Sequence, residues 1–168
     1  FAIVAFSIVL SIVLPGTFEF EYSNLSPLLP FGISSIFLAM FFLSESFFGW
    51  ESVTYLAEET KNPERVIPKA LLMGTLIVGL MGTSLAIISL GIVKWDFLAE
   101  TSAPLSFVAS TLFGPLGVKF VAFGVFVTLI GSAAGGIITM PRLLLALARD
   151  KLFISQLAEI HPTYNTPY

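Results

Sequence analysis

Two carboxylates, Glu45 and Glu51, stand inside the apolar run FGISSIFLAMFFLSESFFGWESVTYLA, residues 31–57. An acid at the middle of a membrane helix costs about 2.5–3.5 kcal/mol to insert, and ionisable groups placed there mark pathways and relays. Glu51 has the more telling setting, FFGWES. Gly49 lowers helix stability by about 1 kcal/mol relative to Ala. The hydroxyls of Ser52 and Thr54 can take up backbone groups that a break would release. A helix interrupted here offers carbonyl and N–H groups to a polar ligand at mid-membrane. Phe47, Phe48 and Trp50 can wall such a site and attract an ammonium group through their ring faces. The expected chemistry is binding and charge movement, with no bond made or broken. The plain structural alternative is a protonated Glu51 hydrogen-bonded to a neighbouring helix.

Glu45 lies six residues before Glu51, so on an unbroken helix the two point about 120° apart. They share a cavity only if the helix unwinds between them; otherwise Glu45 faces a different neighbour. A second polar cluster lies in IGSAAGGIITMPR, residues 130–142. Ser132 and Thr139 offer hydroxyls to a pathway, while Gly131, Ala133, Ala134, Gly135 and Gly136 read as close-packing positions. Gly74, Gly79 and Gly82 read the same way. The chain has no cysteine and a single histidine, His161. Thiolate metal sites and cysteine nucleophiles are therefore excluded, and no cofactor is called for. Signatures such as HExxH, GxSxG and the phosphate-binding loop are missing, so no enzyme activity is expected.

These residues need elements to carry them. The sequence has 168 residues, 56% hydrophobic and 11% charged; soluble domains average roughly 25% charged. Four apolar runs, about 1–14, 31–57, 70–93 and 118–148, read as membrane helices, because hydrocarbon leaves backbone groups no partner outside their own segment. Lys61, Arg65, Lys69, Arg142, Arg149 and Lys151 fall on one side and Lys94 and Lys119 on the other. The positive-inside rule places the first group in the cytoplasm, so the helices run outward, inward, outward and inward. Asn62 is placed to cap and Pro63 to open the third helix, while Pro68 either ends a short turn or bends that helix. Tyr22, Trp95 and Tyr168 suit interfacial anchoring. Residues 153–160 read as a short interfacial helix or as one packed on the rest of the protein. The net charge of −3 gives no argument for nucleic acid.

FFGWESVTYLAEETKNPERVIPKA resembles the sixth transmembrane helix and following loop of the amino acid–polyamine–organocation (APC) superfamily. There an aromatic-rich Gly-x-acid-Ser-like break precedes Glu-x-x-Lys-Asn-Pro-x-x-x-x-Pro. PRLLLALARDKLFISQLAEIHPTYNTPY resembles the end of the eighth helix, although Asp-Lys-Leu-Phe-Ile replaces the usual Asp-Gly-Leu-Leu-Pro. The resemblance implies an all-α, polytopic, partial LeuT-type five-plus-five inverted-repeat fold, running from the end of the fifth helix through the eighth. The chain is thus expected to be a fragment of a larger transporter domain, completed by the remaining helices and the lipid bilayer. The implied activity is secondary transport of an amino acid or related amine by alternating access, proton-coupled or by exchange, in the cell membrane. Carried onto these residues, the break lies at about Phe48–Ser52 and substrate is held by Phe47, Phe48, Gly49, Trp50, Glu51 and Ser52. Glu51 is implicated in gating or proton coupling. Some members carry an aromatic gate six residues before that acid, where this sequence has Glu45. Ser132 falls near an ion-ligand position of sodium-coupled relatives. A channel-like or structural membrane subunit is the alternative function.

Overall fold

The computed structural model describes residues 2–45, 47–161 and 163; the Tyr168 anchor and Phe1 lie outside them. The regular elements are helical. Among the described residues the α-helices occur in the order α1 (Ala2–Gly16), α2 (Ser34–Glu45), α3 (Pro63–Ile92), α4 (Trp95–Glu100), α5 (Pro104–Phe113) and α6 (Pro115–Arg149). Three 3₁₀ stretches, Tyr22–Leu25, Trp50–Glu59 and Ser155–Ala158, lie between and after them. The fold is all-α and polytopic. At 1.5 Å per residue, α3 is about 45 Å long and α6 about 52 Å, and each exceeds the hydrocarbon thickness of about 30 Å. The stretch Ser34–Glu59 is also long and apolar enough to cross. Large apolar side chains on these helices stand uncovered, with Phe41 70%, Leu80 72% and Ile137 75% exposed. Such surfaces belong against lipid or further helices, and the chain is a multi-pass membrane segment.

The chain divides into two compact units. The first comprises Phe1–Leu43 and Thr75–Gly131. Its core joins Ile8 and Ile12 of α1, Val93, Val108 and Ala109 of α5, and Val121 of α6. Residues 94–117, between the third and fourth apolar runs, hold α4, α5 and the first residues of α6. Ten residues of α5 cannot span a bilayer; they bury Val108 and Ala109 instead. The segment after α1 docks on the end of α3. The Gly91 carbonyl accepts from the Glu21 N–H at 3.0 Å and from the buried Asn24 side-chain amide at 2.8 Å. These bonds satisfy a carbonyl in the last turn of a helix, where intrahelical donors run out. The Phe20 ring occupies the place where a Cβ on residue 91 would be, so only glycine fits there.

The second unit comprises Ser44–Gly74 and Ser132–Tyr168. α3 opens at Pro63 and continues through Pro68 without interruption. Asn62, in left-handed conformation (φ 52°), accepts at its carbonyl from the N–H groups of Arg65 and Val66. The expected helix over 153–160 is a single 3₁₀ turn, Ser155–Ala158, flanked by non-helical backbone at Ile154 and extended backbone at Glu159. Four residues between non-helical flanks do not reach the length at which an α-helix sustains itself.

Candidate functional site

Within the second unit the α-conformation ends at Glu45, three residues before the break expected at Phe48–Ser52. Phe47 and Phe48 donate their N–H groups to the carbonyls of Ser44 and Glu45, each at 3.1 Å. Gly49 then takes φ 96°, ψ −9°, a region L-residues rarely adopt. The chain re-enters helical winding as ten residues of 3₁₀ geometry, Trp50–Glu59.

The broken ends are closed by side chains from the same few residues. The Glu51 carboxylate accepts the Gly49 N–H at 2.9 Å. The Ser52 hydroxyl donates to the Gly49 carbonyl and the Thr54 hydroxyl to the Glu51 carbonyl, each at 2.6 Å. A carboxylate beside the first turn also meets the positive end of the aligned peptide dipoles. Glu51 therefore has a structural task at the break itself. The Trp50 ring lies against α3 at Gly74, where an added Cβ would meet it at 3.2 Å. Phe47 packs on the Trp50 ring with centroids 6.0 Å apart.

Facing this break is one side of α6. A cavity of about 510 Å³ is lined by Phe48, Gly49, Trp50, Ser52 and Val53 and by Ser132, Gly135, Gly136, Thr139 and Met140. The α6 residues recur at i, i+3, i+4, i+7 and i+8, the spacing of a single helix face. Among the described residues nothing lies within 4 Å of where a Cβ on Gly135 or Gly136 would stand, so both leave space at this cavity. The structure thus brings Phe48, Gly49, Trp50, Ser52 and Ser132 to one cavity. Phe47 and Glu51 stand beside it and do not line it. Glu45, exposed at the last position of α2, does not line it either. Val53, Gly135, Gly136 and Met140 were not singled out for the site from sequence. The signal that finds the three α6 residues is the helical periodicity running from Ser132 to Met140; Val53 follows only from the 3₁₀ winding. The lining mixes aromatic walls, three hydroxyls and no charged side chain, which suits a small polar ligand with an apolar part. No group of metal-ligating side chains occurs among the described residues.

Toward the basic end of the unit, two ion pairs tie the 3₁₀ stretch to α6. Arg142 Nε donates to Glu59 Oε1 at 2.6 Å, and its guanidinium also donates to the Ile138 carbonyl. Arg149 donates to both carboxylate oxygens of Glu58 at 3.1 and 3.2 Å. A second cavity of about 400 Å³ lies behind them, bounded by Tyr55, Glu58, Glu59, Arg142 and Ile160 among others.

The model of the amino acid permease family matches residues 1–168. A cationic amino acid transporter of Arabidopsis thaliana, designated 9 and chloroplastic, is 34% identical over 93% of this chain. The branched-chain amino acid permease BcaP of Bacillus subtilis is 28% identical over 86%, and the serine/threonine exchanger SteT of the same organism 31% over 71%. The chain spans only 27%, 31% and 28% of these three proteins. No solved structure gives a significant match. A family match over the full length, on a polytopic helical chain, establishes that the protein belongs to the amino acid permease family of the APC superfamily.

Proposed function

We propose that this chain supplies the substrate-holding helix break of a transporter for amino acids or related amines, which works by alternating access. The observation that carries the reading is the interruption at Gly49 facing the Ser132–Met140 side of α6 across a cavity of ligand size. Interrupted helices are the means by which secondary transporters hold substrate amino and carboxyl groups at mid-membrane. The relatives named above are transporters of cationic, branched-chain and hydroxylated amino acids, so the shared element is the α-amino acid moiety. In this reading Ser52, Ser132 and Thr139 orient polar groups, and Phe48 and Trp50 cover the apolar part. Glu51 responds to substrate or proton arrival by exchanging its bond to the Gly49 N–H, and Glu45 stands at the rim as a gating residue. The end bearing Lys61, Arg65 and Lys69 faces the cytoplasm.

The test is counterflow of labelled amino acid in liposomes carrying the full-length transporter. Stimulation by unlabelled amino acid on the opposite side is expected. Absence of stimulation would favour the channel-like or structural alternative. Glu51→Gln separates the two roles of the acid, since a carboxamide oxygen still accepts from Gly49 but cannot gain or lose a proton. Unchanged rate and pH dependence in that variant would remove Glu51 from proton coupling.

A further inference from the structure

The stretch Trp50–Glu59 is ten residues of 3₁₀ helix, although such runs seldom exceed 3–4 residues because their hydrogen bonds are poorer than those of the α-helix. Something must hold it tightly wound. At its start, the Ser52 and Thr54 hydroxyls donate to carbonyls three residues back, the spacing that 3₁₀ winding favours. At its far end, Glu58 and Glu59 are fastened to Arg149 and Arg142, 91 and 83 residues away in sequence. Both ion pairs join the same two elements.

Geometry says what release would do. A 3₁₀ helix rises about 2.0 Å per residue and an α-helix about 1.5 Å, so rewinding ten residues shortens the stretch by roughly 5 Å. The turn angle falls from about 120° to about 100° per residue. Over the nine steps from Trp50 to Glu59, the far end therefore swings through roughly 180° relative to the near end. Neither pair, with contacts of 2.6 and 3.1 Å, survives such a change. Gly49, with no neighbour within 4 Å of a Cβ position, can absorb the rotation at the upper end.

We propose that Glu59 and Arg142, backed by Glu58 and Arg149, are positioning residues that latch the Trp50–Glu59 stretch in its tightly wound form, and that their separation lets it rewind toward α-geometry and opens the cavity behind Tyr55. Arg142 is the pivot, because it is the least exposed of the four and holds the Ile138 carbonyl at the same time. The latch rests on the transport reading for its purpose, but its mechanics are measurable without transport.

The chain contains no cysteine, so Tyr55→Cys reports the cavity in a full-length transporter whose other cysteines have been replaced. Maleimide labelling of that site should rise about fivefold with Glu59→Gln, equivalent to about 1 kcal/mol of latch strength. It should fall back toward the parent rate in the exchange of charges Glu59→Arg with Arg142→Glu. Equal labelling in the parent and Glu59→Gln overturns the latch, whether or not the protein transports. As a second measurement, Glu59→Cys and Arg142→Cys are bridged by a bifunctional methanethiosulfonate whose length matches the ion pair, a link that reductant cleaves. Counterflow should stop and return on reduction; counterflow at full rate through the cross-linked protein overturns the proposal. If the uncross-linked parent shows no counterflow, the transport reading fails and the labelling result alone decides the latch.

Discussion

Replacing Gly49 by alanine isolates the backbone contribution to the break. Gly49 sits at φ 96°, and nothing lies within 4 Å of an added Cβ, so the substitution introduces no clash with a neighbour. What remains is the conformational cost of placing an L-residue at positive φ, roughly 1–2 kcal/mol. At about 1.4 kcal/mol per factor of ten, apparent substrate affinity in the full-length transporter should fall about 5- to 30-fold. The chemistry of the residue then sets an order. Asparagine tolerates this region better than alanine, and valine, branched at Cβ, tolerates it worst. Affinity should therefore decline in the series Gly, Asn, Ala, Val, measured by substrate-dependent thermal shift and by uptake in liposomes. Asparagine is larger than alanine, so an order that followed side-chain size would place Ala above Asn. That result, or an Ala variant with unchanged affinity, would refute the argument that φ at this position controls the site.

Leucine at Gly135 should enter the cavity without disturbing packing, because no atom stands within 4 Å of its Cβ; melting is expected unchanged while KM for bulky amino acids rises about tenfold. Asn24→Ala should lower stability by about 0.5–1.5 kcal/mol, since the Gly91 carbonyl loses one of its two donors and keeps the Glu21 N–H; thermal unfolding in detergent reads it. Gly91→Ala should displace the Phe20 ring and expose the Thr17–Phe31 segment to protease, with cleavage at that segment as the readout. Glu51→Ala should cost more stability than Glu51→Gln, by about 1 kcal/mol, because only the carboxamide keeps an acceptor for the Gly49 N–H.

Parts of this arrangement are legible in the sequence, and the reasons are physical. Apolar runs of 20 or more residues declare membrane helices because hydrocarbon admits few other solutions. Glycine between aromatic residues and beside an acid marks a place where α-winding is weak. What cannot be read locally is where a released side chain goes. Glu51 turns back to the Gly49 N–H, a bond that depends on the φ of the glycine and not on any spacing. α5 escapes notice because ten apolar residues look like part of a loop until they are seen to bury Val108 and Ala109. Gly135 and Gly136 read as packing positions because small residues usually pack; that they also line the cavity at the break follows only from the fold. The pairs Glu59–Arg142 and Glu58–Arg149 lie too far apart in sequence for any motif to join them.

The interrupted segment from Ser34 to Glu59 has a consequence for how the protein is made. Its α-helical part, twelve residues, reaches about 18 Å, short of the hydrocarbon thickness of about 30 Å. Only by adding the overwound stretch, about 20 Å, does it cross. During synthesis that winding has no arginine partners, since Arg142 and Arg149 emerge more than eighty residues later. With two acids and a flexible break, this segment is a poor candidate for lateral release from the translocon by itself. It should partition as a hairpin with α3, which follows after three linking residues. Substitutions that straighten and grease the break would then improve insertion yield while abolishing activity.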